Sequence, residues 1–299
     1  MKEHLNFVEN IVKKGGLEPA EYVVFDQWLH QLAVEVANKK LTPEDLHKIR
    51  SAFGEALSPK TMQGFGFTKP HGYAGDFEML DKIYLHYMSH YSHLRKWDEY
   101  FHSTAATNAV RNRKIYFLEL LHSLESLRVN LKFEKFDILN VASGSGRDLL
   151  EFFQYNSSAE LFFDCIEYDE KAITYAKNLC SNNLSKISFY RANALKFMTD
   201  KKYRLIWSAG LFDYFDDETF KVLLTRYYSM LSKDGELVIG NFSDYNPTRN
   251  YMEIIGEWFL NHRSKEKLIA LAHDSGLSAS SITVKQEPLG VNLFLHIKA

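Results

Sequence analysis

The stretch best suited to chemistry is 137–148, Asp-Ile-Leu-Asn-Val-Ala-Ser-Gly-Ser-Gly-Arg-Asp. It contains a run of small side chains at 142–146. Branched apolar residues open the stretch as a buried strand, and the apolar pattern that follows it predicts a helix. Glycine has no Cβ to block a ligand, and a helix N-terminus offers free N–H donors. The turn at Ala142, Gly144 and Gly146 therefore suits a nucleotide-like ligand, although many α/β proteins carry such a turn without one.

Further polar groups follow three other predicted strands. Glu167 ends a strand about 20 residues after the glycines, where an acid can accept both hydroxyls of a ribose. Asn193 and Ala194 follow the next strand and suit the edge of a purine, with a plain turn as the alternative. The run 208–214, Ser-Ala-Gly-Leu-Phe-Asp-Tyr, contains the end of a fourth predicted strand and the start of the loop that follows it. Open α/β sheets bind ligands at these carboxyl ends.

Alternating strands and helices would position these groups at one edge of a sheet. We predict strands at 137–142, 161–167, 186–191, 203–209 and 236–241, with helices at 147–155, 170–181 and 217–231. This alternation predicts a parallel sheet covered on both faces. Helices near 250–260 and 265–275 come next. Two final strands, at 280–287 and 291–298, are linked so tightly that only an antiparallel hairpin is permitted.

The first 130 residues differ, because their apolar residues recur at helical spacing. Thr42-Pro43 opens a predicted helix over 42–57, and another is predicted over 107–127. The stretch 64–76 between them contains four glycines, a proline and three aromatic residues. We therefore expect no regular element there.

Composition restricts the class of protein. The chain has 299 residues and a net charge of −2, which gives no basic surface for nucleic acid or anionic lipid. Cys165 and Cys180 lack metal-ligand spacing, so we expect reduced thiols and no metal site. No apolar run has the length of a signal peptide or a membrane span, which predicts a cytoplasmic protein. The 17 Tyr and 22 Phe residues are enough to line a pocket as well as a core.

The whole of 137–299 resembles class I S-adenosylmethionine-dependent methyltransferases. The turn at 142–146 resembles their glycine-rich motif, 165–169 their acidic ribose strand, 193–194 their adenine loop, and 231–239 the run before their fifth strand. The resemblance implies an α/β fold with a seven-stranded Rossmann-like sheet, parallel except for an antiparallel C-terminal hairpin. It also implies a helical cap at 1–130, a methyltransferase domain at 131–299, and S-adenosyl-L-methionine as cofactor. Asn140 stands where these enzymes usually have an acid, and Ala142 where they have the first glycine.

A narrower resemblance covers about 60–299 and lies partly outside the sheet. The run 69–76, Lys-Pro-His-Gly-Tyr-Ala-Gly-Asp, resembles a signature of the 3-hydroxypalmitic acid methyl ester synthase-like methyltransferases. The runs 240–242, 246–253 and 291–295 agree with it, although His71 stands where arginine is expected. This resemblance implies methyl ester formation on a fatty or hydroxy fatty acid.

The candidate site residues combine both resemblances with the residue chemistry. Asp76 either caps a helix or holds the methionine ammonium in place of the charge missing at Asn140, and Arg113 either pairs with the cofactor carboxylate or lies on a solvated face. The predicted cofactor-binding residues are Tyr73, Asp76, Arg113, Ala142, Gly144, Gly146, Asp148, Glu167, Tyr168, Asn193, Ala194, Ser208 and Gly210. The residues predicted to orient the acceptor are Tyr73, His71, Tyr214, Asn241 and Tyr251, with Tyr245 and Arg249 beside them.

Two other functions stay open. The acceptor could be an amine, a phenol or a natural-product scaffold, in which case Asp76, His71, Asp213 or Glu253 would act as a base. Asn140, Ala142 and Asn193 are also compatible with a non-catalytic S-adenosylmethionine-binding module. We expect a small-molecule acceptor and no nucleic acid partner, and a homodimer is left open.

Overall fold

The computed structural model describes residues 1–277 and 281–299. Within these residues the chain forms twelve α-helices, α1 to α12: Lys2–Lys13, Tyr22–Ala37, Pro43–Ser51, Met62–Thr68, Phe77–Tyr84, Arg95–Ser103, Ala105–Leu131, Arg147–Tyr155, Glu170–Leu179, Asp217–Ser229, Arg249–Ile254 and Lys265–Asp274. The same residues form seven β-strands, β1 to β7: Phe136–Val141, Leu161–Glu167, Ile187–Arg191, Tyr203–Ala209, Leu231–Phe242, Ile282–Gln286 and Asn292–Lys298.

The strands form one mixed sheet in the order β3-β2-β1-β4-β5-β7-β6. Strands β1 to β5 run parallel, and β7 runs antiparallel to its two neighbours, β5 and β6. The predicted fold class, a largely parallel α/β sheet with an antiparallel C-terminal hairpin, is confirmed. Residue 280, the first of the predicted strand 280–287, lies outside the described residues.

Apolar side chains cover both faces of the sheet. On one face, Phe117 of α7 stacks on Trp207 of β4 with ring centroids 4.5 Å apart, in a cluster that includes Phe152 of α8. On the other face, Phe220 of α10 and Leu268 of α12 belong to a second cluster with the strand residues. Burial on both faces explains why the central strands are nearly continuous apolar runs.

Capping side chains begin two helices soon after the preceding strands end. Asp169 accepts a hydrogen bond from Lys171 N at 2.8 Å at the start of α9, and Asp216 accepts one from Thr219 N at 2.8 Å at the start of α10. These caps keep the loops at the carboxyl ends of the strands short. Several predicted elements differ in their ends. The strand predicted at 236–241 is β5 and starts at Leu231, so the helix over 217–231 stops at Ser229. The helix over 42–57 stops at Ser51, and the helix near 250–260 is the short α11.

The described residues pack into two compact units. The helical unit is Met1–Asn108 with Asn246–Phe259, and the sheet unit is Ala109–Tyr245 with Leu260–Ala299. These bounds differ from the predicted domains at 1–130 and 131–299, because α7 packs against the sheet through Phe117 and Leu121. The segment 246–259 instead joins the helical unit, where the Tyr251 ring lies 5.1 Å from that of Tyr100. The predicted roles of the two domains, as cap and methyltransferase domain, stay a prediction.

The glycine-rich stretch 64–76 was expected to be irregular, and its first residues are helical instead. Helix α4 runs from Met62 to Thr68, and Thr61 caps it by accepting a hydrogen bond from Gly64 N at 3.0 Å. A Cβ on Gly64 would lie 2.0 Å from the carbonyl oxygen of Ser58. Glycine therefore serves close packing in a helix here, whereas the sequence predicted no regular element.

Neither a membrane-spanning helix nor a metal-binding cluster occurs in the described part of the chain. None of its helices has the length and apolar content needed to cross a bilayer. Among residues 1–277 and 281–299, no group of three His, Cys, Asp or Glu side chains could hold a metal ion.

Candidate functional site

The carboxyl edge of the sheet unit brings together the ends of β1 to β4. Ala142 N donates to the carbonyl of Ile166 at 2.9 Å, which joins the ends of β1 and β2. Ser208 Oγ donates to the carbonyl of Val141 at 3.2 Å, which joins β4 to β1. Ala192 N donates to the carbonyl of Glu167 at 2.9 Å, which joins β3 to β2. The groups predicted after these strands therefore share one edge.

The small-residue turn after β1 leaves its backbone open. Ala142, Gly144 and Gly146 adopt left-handed conformations with φ of 56°, 58° and 69°. A Cβ on Gly144 would meet nothing within 4 Å, so a ligand could approach the backbone there. Gly146 is the N-cap of α8, whose first N–H groups have no partner within the helix. Ala142 adopts its conformation despite its Cβ, at a cost of roughly 1–2 kcal/mol.

Glu167 organises the backbone around the turn. Its Oε2 accepts a hydrogen bond from Gly144 N at 3.0 Å. Its Oε1 accepts hydrogen bonds from Tyr168 N at 2.7 Å and Asp169 N at 3.1 Å. A carboxylate offers about four acceptor positions, so this side chain retains capacity for a ligand hydroxyl.

Two polar side chains of the sheet unit, Asn140 and Arg113, are buried. Asn140 is 2% exposed, and its Nδ2 has no hydrogen-bond acceptor among the described residues. Arg113 of α7 is 4% exposed, and its guanidinium interacts electrostatically with the carboxylate of Asp213. A buried donor without a partner costs about 1–3 kcal/mol, and a buried cation is expensive even with a countercharge. Both groups therefore suit an absent polar ligand, and Arg113 does not lie on a solvated face.

Arg113 lies against the loop that follows β4. Gly210 has φ of 104°, and a Cβ there would lie 3.0 Å from the Nη atoms of Arg113. Asp213, which is 1% exposed, interacts electrostatically with this guanidinium and accepts a hydrogen bond from Phe242 N at 2.5 Å. Burial raises the pKa of Asp213 to about 6, although the Phe242 N–H and the cations Arg113 and Arg263 act in the opposite direction.

Four more predicted cofactor-binding residues lie at the carboxyl edge. Asn193 Oδ1 accepts a hydrogen bond from Leu195 N at 2.8 Å, and the Ala194 carbonyl accepts one from Tyr227 at 2.8 Å. Tyr168 is 68% exposed. Asp148 is only partly exposed, and burial raises its pKa to about 6 while Lys114 acts to lower it.

Of the predicted acceptor-orienting residues in the sheet unit, Tyr214 is 40% exposed and Asn241 is fully buried. The Asn241 amide donates to the carbonyls of Phe242 at 2.8 Å and Asn261 at 3.0 Å, and its Oδ1 accepts from Arg263 at 2.8 Å. Sequence reasoning missed Asn261 and Arg263, because the run 261–264 carries no recognisable motif.

The remaining predicted residues belong to the helical unit. His71 Nε2 lies 2.8 Å from Glu78 Oε2, and Asp76 caps α5 by accepting a hydrogen bond from Met79 N at 2.8 Å. Tyr73 is 40% exposed. Tyr251 is buried in the unit's aromatic core and donates to Gln63 Oε1 at 2.9 Å. A site shared by these residues and the carboxyl edge stays a prediction, as does the function of each.

Comparison with known proteins identifies the central part of the chain. Residues 138–235 match a protein family described as a methyltransferase domain. This match spans β1 through the beginning of β5 and includes the open turn, Glu167, Asn193 and Gly210. No curated protein matches the chain.

Several solved structures have a similar fold. A possible exported protein from Bordetella parapertussis gives a TM-score of 0.60 at 18% identity, over 75% of this chain and 79% of that one. The S-adenosylmethionine-dependent methyltransferase SibL gives 0.51 at 9% identity, over 82% and 70%. A candidate O-methyltransferase from Nostoc punctiforme gives 0.50 at 14% identity, over 82% and 72%. Identities this low show the fold alone.

The domain match and the sheet topology together confirm the predicted enzyme class. The chain contains the domain of an S-adenosylmethionine-dependent methyltransferase, and S-adenosyl-L-methionine is the methyl donor that this domain uses. The chain's own residues fit that cofactor: the open backbone at Gly144 permits close approach, Asn140 Nδ2 is buried without an acceptor among the described residues, and Arg113 is a buried cation. A small-molecule acceptor is consistent with this class.

Proposed function

We propose that this protein methylates the carboxylate of a small molecule, a fatty or hydroxy fatty acid, to form a methyl ester. When bound, S-adenosylmethionine supplies an electrophilic methyl group together with its own leaving group. The observation that carries the methyl-transfer proposal is the open turn at Gly144, together with the buried Asn140 Nδ2, which has no acceptor among the described residues, and the buried cation Arg113. The protein's part is to bind and orient both reactants and to exclude water.

The cofactor-binding roles follow from the charges at the carboxyl edge. Arg113, a buried cation, would hold the carboxylate of the methionine moiety. Glu167 would accept a ribose hydroxyl with its remaining acceptor capacity. Asn193 and Ala194 would lie along the adenine. Tyr73 and Asp76, in the helical unit, stay predicted cofactor-binding residues.

A carboxylate acceptor accounts for the state of the candidate bases. Such an acceptor is already ionised at neutral pH and needs no general base. Asp213 accepts a hydrogen bond from Phe242 N at 2.5 Å, and Asp76 accepts one from Met79 N at 2.8 Å. Glu253 accepts a hydrogen bond from Arg249 Nε at 2.7 Å. Three of the four acids and bases named from the sequence therefore each accept a hydrogen bond from the protein's own groups, which a carboxylate acceptor, needing no base, leaves undisturbed.

One observation favours the alternative of an amine or phenol acceptor. His71 Nε2 is 2.8 Å from Glu78, and His71 Nδ1 is buried without a hydrogen-bond partner in the part of the chain that the structure describes. Although burial alone would raise it, the pKa of Glu78 is lowered by hydrogen bonds from His71 and Lys82. A carboxylate that orients a histidine in this way is the usual arrangement of a general base.

The test uses purified protein, methyl-labelled S-adenosylmethionine and matched panels of fatty acids, hydroxy fatty acids, amines and phenols. We expect label in base-labile esters at a rate that is flat between pH 7 and about 9, since the acceptor is ionised throughout and Asp213, with a pKa of about 6, is largely deprotonated there. His71→Asn should leave this flat profile unchanged. The control is His93→Asn, because His93 forms a similar pair with Glu55 at 3.0 Å in the same unit.

Base-stable products would contradict the ester assignment. So would a rate that rises through a pKa near 7 in the wild type and loses that rise in His71→Asn but not in His93→Asn. That second result would identify His71 as a base and favour the amine or phenol alternative.

A further inference from the structure

The segment 261–263, here called the strap, crosses the turn that follows β4 in the sheet unit. Asn261 N donates to the Asp213 carbonyl at 2.7 Å, and Asn261 Nδ2 donates to the Phe215 carbonyl at 3.1 Å. Arg263 N donates to the carbonyl of Phe242, the last residue of β5, at 3.0 Å. The strap therefore joins the turn Phe212–Tyr214 to the end of the neighbouring strand.

The Arg263 side chain makes the strongest of these connections. Its Nη1 donates to Asn241 Oδ1 at 2.8 Å and to the Phe212 carbonyl at 3.3 Å, and its Nη2 donates to the Phe215 carbonyl at 2.5 Å. Its Nε donates to Asp217 at 3.0 Å, and the side chain is 3% exposed. A planar guanidinium with five N–H donors can serve these four acceptors together, and an ammonium group cannot reproduce that geometry.

The turn that Arg263 holds contains Asp213, which interacts electrostatically with Arg113. Asp213 is the middle residue of Phe212–Tyr214, and its carboxylate interacts electrostatically with the Arg113 guanidinium. This carboxylate and the backbone at Gly210 therefore determine where the Arg113 charge lies. A displacement of the turn would move the countercharge and the Gly210 loop together.

We infer that Arg263 is a positioning residue for the anion site at Arg113: it holds the turn Phe212–Tyr214 so that Asp213 fixes the Arg113 guanidinium. This inference rests on the proposed role of Arg113 in binding the cofactor carboxylate. Arg263 itself is surrounded by acceptors from its own unit and does not need to contact the ligand.

The test compares Arg263→Lys with Arg128→Lys. Arg128 is a matched control, because it also joins a carboxylate, Glu125, to backbone carbonyls, those of Phe133 and Glu134. Calorimetry would measure the Kd for S-adenosylhomocysteine, and hydrogen exchange would report on the amides of 212–215. For Arg263→Lys we expect faster exchange at 212–215 and an approximately tenfold weaker Kd, which corresponds to about 1.4 kcal/mol. For Arg128→Lys we expect neither change.

A double-mutant cycle with Arg113→Met separates positioning from a merely structural role. If Arg263 acts through Arg113, Arg263→Lys should weaken binding in the wild-type background and have little further effect on the Kd of Arg113→Met. Equal effects in both backgrounds, or faster exchange without weaker binding, would overturn the inference.

If Arg263→Lys does not fold, Asn261→Ala is the milder variant, since it removes only the side-chain bond to the Phe215 carbonyl. A wild type that does not bind S-adenosylhomocysteine would contradict the proposed function, whereas a wild type and an Arg263→Lys variant that bind equally well would contradict this inference alone.

Discussion

At the scale of single residues, Arg113 is the clearest sign of an absent ligand. A guanidinium that is 4% exposed is expensive to bury, even with the Asp213 carboxylate as a countercharge. Asn140 adds a buried donor without an acceptor among the described residues. The neutral amide of Asn140 stands where class I S-adenosylmethionine-dependent methyltransferases usually have an acid, so this position contributes no negative charge. Arg113 then stands out as the charged group that would recognise a carboxylate.

We expect Arg113→Met to weaken S-adenosylhomocysteine binding by at least about tenfold, because a hydrogen bond to a charged group is worth about 1.5–3 kcal/mol. Calorimetry measures the Kd, and circular dichroism confirms the fold. Arg128→Met is the control, since it removes the same charge from the other end of α7. A Kd within twofold of the wild type would exclude the carboxylate role of Arg113.

At the scale of elements, helix α4 contains two glycines that should differ in how well they tolerate a side chain. Gly64 and Gly66 lie in the same short helix, one against a backbone carbonyl and the other against a flexible side chain. A Cβ on Gly64 would lie 2.0 Å from Ser58 O, whereas a Cβ on Gly66 would lie 3.2 Å from Met79 Cε. The first contact cannot relax without moving the backbone, and the second can.

Gly64→Ala should therefore lower the free energy of unfolding by about 3 kcal/mol or more, as overpacking against fixed atoms does. Gly66→Ala should be close to neutral, since the gain in helix propensity of about 1 kcal/mol offsets a small shift of Met79. Urea unfolding of both variants measures the difference. Similar stabilities for the two would show that the contact of Gly64 with Ser58 does not constrain α4.

At the scale of the whole molecule, three buried carboxyl groups contribute to the way stability changes with pH. Burial raises the pKa values of Asp98, Asp148 and Asp213 to about 6. Unfolded aspartates titrate near pH 3.9, so from about pH 4 to about pH 6 the folded state holds protons that the unfolded state has released. These three groups therefore make the protein less stable as pH rises through that window, and their effect levels off above it.

Asp213→Asn should remove one part of this dependence while its side-chain carbonyl can still accept the Phe242 N–H. Between pH 5 and pH 7, we expect the free energy of unfolding of the wild type to fall by about 1 kcal/mol more than that of the variant. Urea unfolding at the two pH values provides the measurement. Identical losses in both proteins would show that Asp213 has an ordinary pKa.

Asp216→Asn is the matched control for this experiment. The pKa of Asp216 is lowered, first by the Thr219 N–H that it caps. Its stabilising contribution is present above the unfolded pKa and is lost as pH falls through the lower folded value. Replacing Asp216 by Asn should therefore leave the change in the free energy of unfolding between pH 5 and pH 7 as it is in the wild type.

The sequence by itself determined the sheet, its order of strands and helices, and the turn after β1. The predicted strands 161–167 and 203–209 match β2 and β4 at both ends. Such elements are predictable because their signals are local: apolar runs mark buried strands, capping residues such as Asp169 and Asp216 mark helix starts, and small residues mark the turn. The carboxyl-edge location of Glu167 and Asn193 follows from parallel topology alone.

Only the tertiary structure decided which side chains are buried without partners and which loops are held in place. Nothing near Arg113 in the sequence indicates that its guanidinium lies against Gly210, and the Arg263 contacts reach Phe212 and Asn241 from a run without a motif. The helical character of α4 likewise depends on Gly64 packing beside Ser58. The two units, each built from separate segments of the chain, depend on such contacts as well. The physical reason is that burial, charge pairing and close approach arise between residues distant in the chain, and local patterns carry no record of them.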